Sequence, residues 1–373
     1  MKYYLLAGEA SGDLHGSNLM KALLKVDPKA DFRFWGGDLM QDVGGTLVLH
    51  YKERSFMGFL EVILNLGRIL GLIKKCKKDI EAYQPDVMIF IDNSGFNLRI
   101  AKWAKEMGFK TNYYISPQVW ASRAGRVEKI KRDIDKMFVI LPFEKDFYQT
   151  FNYEVSFVGH PLIDAISQFQ TESELEFKKK YQLDKRPIIA LLPGSRKQEI
   201  TKMLGVMLSM VDQFKDFQFV IAGAPSQSYD FYKSIIKKKD VGFVDNETYA
   251  LLKLSHAALV TSGTATLETA LFKVPQVVCY KANAISYYIA KKIITLDFIS
   301  LVNLIMDREI VTELIQHDFN TKRLKMELEA ILSSNKRKEM LTNYDILIER
   351  LGGAGASNKA AQQIVAQFNM SNA

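Results

Sequence analysis

Five short apolar runs punctuate the first half of the chain, at residues 3–7, 86–91, 111–115, 137–141 and 155–158. Each is nearly continuous in large apolar residues, and helix-length amphipathic stretches lie between them. Strands that are apolar throughout are buried on both faces, so the pattern predicts a parallel sheet covered by helices, a doubly wound α/β unit. The rhythm breaks in TESELEFKKKYQLDKR at 171–186 and resumes with runs at 187–192, 217–222, 257–261 and 276–280, with a helix over 198–214. A second Rossmann-like unit is expected there. Residues 322–350 then read as helical, and GGAGAS at 352–357 precedes a last helical pattern at 358–368. The expected organisation is a first unit over 1–170 and a second over 171–350. A C-terminal helix over 351–373 is expected to pack back on the first unit or on a partner. The two parallel sheets should face a central cleft. No repeat of 20–50 residues is visible, which excludes a solenoid.

Composition narrows the class. A chain of 373 residues with 48% hydrophobic and 25% charged residues is ordinary globular protein, long enough for two cores. The net charge of +8 suits an anionic partner. Cys76 and Cys279 lie in unrelated segments without a CxxC, so neither a disulfide framework nor a zinc site is expected, and a reducing, cytosolic compartment fits. The opening MKYYLLAGEASGD is too weakly apolar for a signal peptide. The most apolar stretch, 59–73, contains Glu61 and Arg68 and falls short of the roughly 20 residues of a spanning helix, so membrane association should be peripheral.

The strongest chemical signal is LLPGSR at 191–196. A strand ends, Pro193 and Gly194 make a turn, and a helix from about Lys197 presents backbone N–H groups to an anion, with the Arg196 guanidinium beside them. A plain turn with Ser195 as N-cap is the structural alternative. ALVTSGTATLE repeats the geometry, with Ser262, Gly263 and Thr264 facing phosphate and Glu268 one helical turn on, where a carboxylate can accept ribose hydroxyls. Glu268 as a cap or surface residue is the alternative. Two such loops in one unit point to a nucleotide diphosphate. Neither is a Walker A loop or a GxGxxG.

In the first unit GEASGD, at 8–13, lies between the first strand and a helix expected from about Leu14. Gly8 and Gly12 allow close backbone approach, and Asp13 and His15 bring titratable groups to the carboxyl end of the sheet. His15 as an exposed first-turn residue is the alternative. Asp92, in IFIDNSGFN, also follows a strand and can accept a proton from a hydroxyl, or else form an Asx-turn or cap a helix starting near Phe96. Candidates on the acceptor side are Gly8, Glu9, Ser11, Gly12, His15 and Asn97. DID at 133–135 precedes a strand inside a mixed-charge helix end and is discounted as a metal motif. KKCKK at 74–78 lacks an aromatic platform for bases, which argues against nucleic acid. It follows Phe59, Val62, Ile63, Leu66, Ile69, Leu70 and Ile73, spaced as one helix face. A basic end on such a face suits an anionic membrane surface, and a core helix is the alternative.

Two Rossmann-like units with terminal helices is the layout of GT-B glycosyltransferases. Together GEASGD, MGFLEV at 57–62, the ID and FN flanking 93–95, SPQVWA at 116–121, LPFE at 141–144, VGHP at 158–161, LLPGSR, SGTATLE and SLVNLIMDRE at 300–309 resemble the lipid-A-disaccharide synthases, GT-B enzymes of glycosyltransferase family 19. The resemblance spans nearly the whole chain. It implies the joining of UDP-2,3-diacylglucosamine to 2,3-diacylglucosamine 1-phosphate (lipid X), which releases UDP and forms a β-1,6 disaccharide 1-phosphate. It further implies no cofactor and no metal, a place on the cytoplasmic face of the bacterial inner membrane, and a nucleotide contact for Asn303. It leaves the oligomeric state open. Where the family commonly reads IDxPDFN, this chain reads IDNSGFN, with Ser94 for Pro and Gly95 for the second acid. That acid is a favoured candidate base, so Asp92 is the first choice here, with Asp13 behind it. Ser122 stands where a second Trp is common. The rival readings are a UDP-sugar 2-epimerase of the same architecture and a non-enzymatic basic protein that binds lipid or nucleic acid.

Overall fold

The computed structural model describes residues 1–54, 66–122, 124–283, 287 and 296–371. It divides into two compact units, one of Met1–Pro161 with Leu351–Ala373 and one of Leu162–Arg350. The division falls earlier than the charged stretch at 171–186. That stretch is no linker: its helix Glu174–Lys180 buries Phe177 in the core of the second unit, with the charges on its outer face.

The first unit is a seven-stranded parallel sheet, β1 (Lys2–Ala7), β2 (Asp31–Gly36), β3 (Thr46–His50), β4 (Val87–Ile91), β5 (Lys110–Tyr114), β6 (Lys136–Val139) and β7 (Ser156–Phe157), in the order β3-β2-β1-β4-β5-β6-β7. The apolar runs mark five of these. β2 and β3 escape the pattern because β2 carries Asp31 and Arg33, and β3 is an edge strand in which only Leu49 is buried. Arg33 is accommodated by a two-pronged bond to Asp79 at 2.6 and 2.8 Å, and Asp79 also accepts from the Tyr4 hydroxyl at 2.7 Å. Alternate residues of β1 enter opposite cores, Tyr4 and Leu6 with Trp35, Cys76 and Ile80, and Tyr3 and Leu5 with Leu19, Leu23, Ala360 and Ile364. The C-terminal helix Ala356–Ser371 therefore returns to cover the first sheet beside helix Ala10–Val26.

Helix Leu66–Tyr83 contributes Cys76 and Ile80 to the core, with Leu72 and Ile73 packed against it. Ile73 is thus a core contact and not a membrane one. Ile69 is half-buried, and Leu70 is 59% exposed. Leu66 opens the helix, while Phe59, Val62 and Ile63 lie outside the described residues. No helix among the described residues is long and apolar enough to cross a membrane.

The second unit is a six-stranded parallel sheet, β8 (Ile188–Leu192), β9 (Gln218–Gly223), β10 (Gly242–Asp245), β11 (Ser255–Thr261), β12 (Gln276–Tyr280) and β13 (Glu313–Ile315), in the order β10-β9-β8-β11-β12-β13. The short edge strands β10 and β13 are the two that the pattern missed. The helical stretch expected over 322–350 is two helices, Thr321–Leu332 and Ser334–Arg350, parted at Ser333, whose ψ of 149° is extended. In each sheet the strand order reverses beside the first strand, between β1 and β4 and between β8 and β11. Loops leaving the carboxyl ends of such strand pairs diverge and leave room for a ligand.

Candidate functional site

LLPGSR leaves β8 and ALVTSGT leaves β11, so both anion-loop candidates flank the switch point of the second sheet. Gly194 has φ +101°, and a Cβ there would lie 2.8 Å from Glu199 Oε2, so the turn requires glycine. Helix Lys197–Leu208 follows with Arg196, not Ser195, as its N-cap. Glu199 Oε2 accepts the backbone N–H groups of Ser195 and Arg196, each at 3.3 Å, and Oε1 accepts the Arg196 guanidinium at 3.1 Å. Three donors converge on one carboxylate, so the turn accepts an anion, and the protein's own Glu199 fills it. The Arg196 side chain is 78% exposed and available to a ligand. Ser226 Oγ donates to the Ser195 carbonyl at 3.0 Å and steadies the loop from behind.

On the β11 side, helix Thr264–Leu271 starts with Gly263 and Thr264 exposed. The Ser262 hydroxyl donates inward to the Ile299 carbonyl at 2.8 Å, so it shapes the loop and has no proton left for phosphate. Glu268 lines a cavity of about 610 Å³ with Phe169, Thr171, Asn246, Thr248 and Tyr249. Its carboxylate accepts the Tyr249 hydroxyl at 2.9 Å, and burial pushes its pKa up, a rise that this bond opposes. Asn303 differs from expectation. It is fully buried, its amide donates to the Val311 carbonyl and to Glu313 at 2.9 Å each, and its oxygen accepts from Ile310 and Val311 at 2.8 and 3.1 Å. Its side chain is used up in holding β13 and has nothing left for a nucleotide.

In the first unit GEASGD leaves β1 and Asp92 leaves β4, again at a switch point. The helix starts at Ala10, inside the motif, with exposed Glu9 as its N-cap in extended conformation and Ser11 exposed in the first turn. Gly8 and Gly12 are buried, and Gly12 lets the helix rest on β1, where a Cβ would meet Ala7 Cβ at 3.2 Å. Asp13 is buried, and its carboxylate is occupied by backbone donors. It accepts the N–H groups of Gly37 at 2.8 Å, Leu39 at 3.1 Å and Met40 at 3.0 Å, which caps helix Asp38–Val43 from outside. The His15 Nδ1 is enclosed without a partner. Burial lowers the His15 pKa to about 4, and burial together with His15 lowers that of His160 to about 3. The two imidazoles are neighbours and neutral at pH 7.

Asp92 and Asn93 adopt left-handed backbone in succession, φ 46° and 41°, a strained pair at the end of β4. The Asp92 carbonyl is fixed by the Asn97 amide at 2.9 Å and by the Tyr113 hydroxyl. Asn97 also donates to the Leu6 and Ile91 carbonyls at 3.2 Å each, so it ties β1 to β4 and does not reach toward an acceptor. The Asp92 side chain keeps solvent access, yet protein crowds it enough that desolvation, and then the Glu9 charge, raise its pKa. An exposed carboxylate with a raised pKa at a strand end is suited to proton acceptance. The next helix, Ser94–Glu106, starts before Phe96, and a Cβ at Gly95 would meet nothing within 4 Å.

Three motifs that the sequence alone left without a task hold the scaffold. Ser116 of SPQVWA donates to buried Glu144 of LPFE, which also accepts the Leu141 and Ile140 N–H groups at 2.9 and 3.1 Å. The L-P-F-E spacing, with Pro and then Glu in a first helical turn, was a readable capping signal. In VGHP, Gly159 has φ +92° with its Cβ position 3.2 Å from the Leu351 carbonyl, and the His160 N–H donates to that carbonyl at 3.1 Å. VGHP thereby anchors the returning C-terminal segment. In DID, Asp133 pairs with Arg132, and Asp135 binds Lys105 and Thr111. In KKCKK, Cys76 is core and Lys77 lies 5.2 Å from the Trp103 ring centroid.

Comparison with known proteins identifies the family and the fold. The family model described as lipid-A-disaccharide synthetase matches residues 3–368. A lipid-A-disaccharide synthase of Syntrophus aciditrophicus is 39% identical over 366 residues, 96% of this chain and 95% of that protein. Among solved structures, the glycotransferase of kitacinnamycin superposes with a TM-score of 0.69 at 13% identity, covering 98% of each chain. The UDP-GlcNAc 2-epimerase of Neisseria meningitidis bound to UDP-GlcNAc gives 0.63 at 12% identity, covering 100% of both. At such identities the last two speak to the fold alone, which is GT-B.

Proposed function

The chain belongs to the lipid-A-disaccharide synthase family of UDP-dependent glycosyltransferases, and from that premise we propose how its residues divide the work of joining UDP-2,3-diacylglucosamine to lipid X. The observation that carries the donor site is the convergence of the Ser195 and Arg196 N–H groups and the Arg196 guanidinium on one carboxylate. The UDP diphosphate displaces Glu199 there beside Gly194, and Gly263 and Thr264 border it with exposed backbone at a second helix start. The ribose hydroxyls donate to Glu268 at the wall of the cavity. These donors stabilise the charge that develops on the departing diphosphate.

Asp92 serves as base. Its carboxylate takes the proton of the lipid X 6-hydroxyl as that oxygen attacks the anomeric carbon, and the bond from that carbon to UDP breaks with its electron pair leaving on phosphate. An α-linked donor gives a β-linked product in this single displacement. What favours Asp92 over Asp13 is that the three N–H bonds to Asp13 build a neighbouring helix. Desolvation, and after it the charge of Glu9 on the opposite side of the first switch point, raise the Asp92 pKa, which makes its carboxylate a stronger base.

The enzyme meets its lipid substrates peripherally, at the anionic cytoplasmic surface of the inner membrane, through the start of helix Leu66–Tyr83. Leu70 is exposed there, followed by exposed Lys74, Lys75 and Lys78. The test is incubation of purified protein with both lipid substrates in mixed micelles containing EDTA, followed by mass spectrometry. UDP and disaccharide 1-phosphate in equal amounts are expected. UDP without disaccharide would refute the acceptor, and no product with UDP still bound would favour epimerase chemistry.

A further inference from the structure

From the cavity of the second unit we infer that Tyr249 is a positioning residue for nucleotide recognition, which holds the Glu268 carboxylate in the one orientation that reads both ribose hydroxyls. The inference rests on Glu268 being the ribose contact. Glu268 projects from the first turns of helix Thr264–Leu271, and its side chain has three rotatable bonds. Among the described residues the hydrogen bond found on that carboxylate is the one from Tyr249 at 2.9 Å, to Oε1. Tyr249 comes from a different element, helix Thr248–Leu254, so the bond joins the two walls of the cavity.

The Tyr249 ring is itself held. Phe169 meets it edge-on with centroids 5.5 Å apart at 86°, and Phe272 does so at 5.2 Å and 61°. A phenol clamped between two aromatic edges gives a fixed donor direction. One lone-pair side of Oε1 is occupied by that donor, which leaves Oε2 and the rest of Oε1 for a vicinal diol. Burial of the carboxylate raises the Glu268 pKa, and the Tyr249 bond favours the charged form. The charged form offers acceptor capacity on both oxygens, whereas protonation turns one of them into a donor. Tyr249 thus acts on both the direction and the ionisation of the carboxylate, and its effect should be specific to the sugar of the nucleotide.

The test compares UDP and 2′-deoxy-UDP by titration calorimetry for the unmodified protein and the variants Tyr249→Phe, Glu268→Gln and the double variant. Tyr249→Phe keeps the ring and its packing, so the fold is preserved. The unmodified protein should prefer UDP by roughly tenfold or more, as a site built for a hydroxyl rejects the analogue lacking it. Tyr249→Phe should reduce that preference by about three- to tenfold. It should also move the acid-side loss of UDP affinity to higher pH, because the carboxylate then loses the bond that favours its charged form. The double variant should lose no more preference than Glu268→Gln. If Tyr249→Phe keeps the full preference and pH profile while Glu268→Gln loses the preference, the positioning role is overturned and the ribose contact stands. If Glu268→Gln also keeps the preference, the ribose contact itself fails, and the role of Tyr249 fails with it.

Discussion

Asp13 is the residue at which fold and chemistry are most easily confused, and substituting it separates them. Its carboxylate accepts three backbone N–H groups of the β2-to-helix turn, at 2.8, 3.1 and 3.0 Å. Two of the donors, Gly37 and Met40, are buried, whereas Leu39 is exposed and can turn to water. Asp13→Ala leaves two donors without partners, at about 1 to 3 kcal/mol each, so a loss of about 4 kcal/mol is expected for the first unit. At about 2 to 4 °C per kcal/mol for a unit of this size, melting should fall by about 8 to 16 °C. Asp13→Asn keeps Oδ1 for Gly37 and Met40 and sacrifices only the bond to Leu39, so its cost should be about 1 to 2 kcal/mol. Calorimetric melting and urea titration read the stability, and turnover is measured well below each variant's own transition. The reasoning requires Asp13→Asn to retain most turnover. A variant with native stability and turnover lowered by two or more decades would refute it and restore Asp13 as a candidate base.

Asp92→Asn should lower turnover by roughly two to four decades with UDP affinity unchanged, and Glu9→Gln, which removes a pKa-raising charge, should shift the acid limb of kcat/KM to lower pH; an unshifted limb would separate Glu9 from the base. Arg196→Ala should weaken UDP binding by about 2 kcal/mol, while Glu199→Gln should strengthen it by removing the competing charge, and equal loss in both variants would contradict displacement of Glu199. Gly95→Asp should be accepted by the fold, since its Cβ meets nothing within 4 Å, and should raise the melting temperature slightly, as an acid replaces glycine in a first helical turn. His15 and His160, with folded pKa values of about 4 and about 3 against 6.5, bind protons more readily when unfolded, so their contribution is complete above pH 6.5 and is lost as pH falls below it. For His160 this amounts to about 2 kcal/mol at pH 5; a His160→Gln variant with the same stability slope between pH 7 and 5 would dispute that assignment.

The sequence by itself determined the architecture and the loops that matter. Runs such as VMIFI and IIALL are apolar on both faces, and only a helix-covered parallel strand satisfies that, so nine of the observed strands were legible. The glycine-bearing turns after β1, β8 and β11 were legible too, because a strand-to-helix turn leaves a local signature. Strands whose polar residues are satisfied from a distance were not legible: β2 exists because Asp79, from a helix 46 residues further along the chain, answers Arg33. The tertiary structure also decided which way each polar side chain faces. Asp13, Asn97, Asn303 and Ser262 were expected to face a ligand, yet their bonds turn inward to the Gly37 turn, the ends of β1 and β4, the start of β13 and the Ile299 carbonyl. A sequence shows that a loop carries a carboxylate or an amide. Its direction depends on which buried backbone groups would otherwise be unpaired, and those groups come from segments far away in the chain. The same holds for Glu199 and Tyr249, whose partners, the 195–196 turn and Glu268, acquire meaning only when the helices carrying them are set against the ends of the sheet.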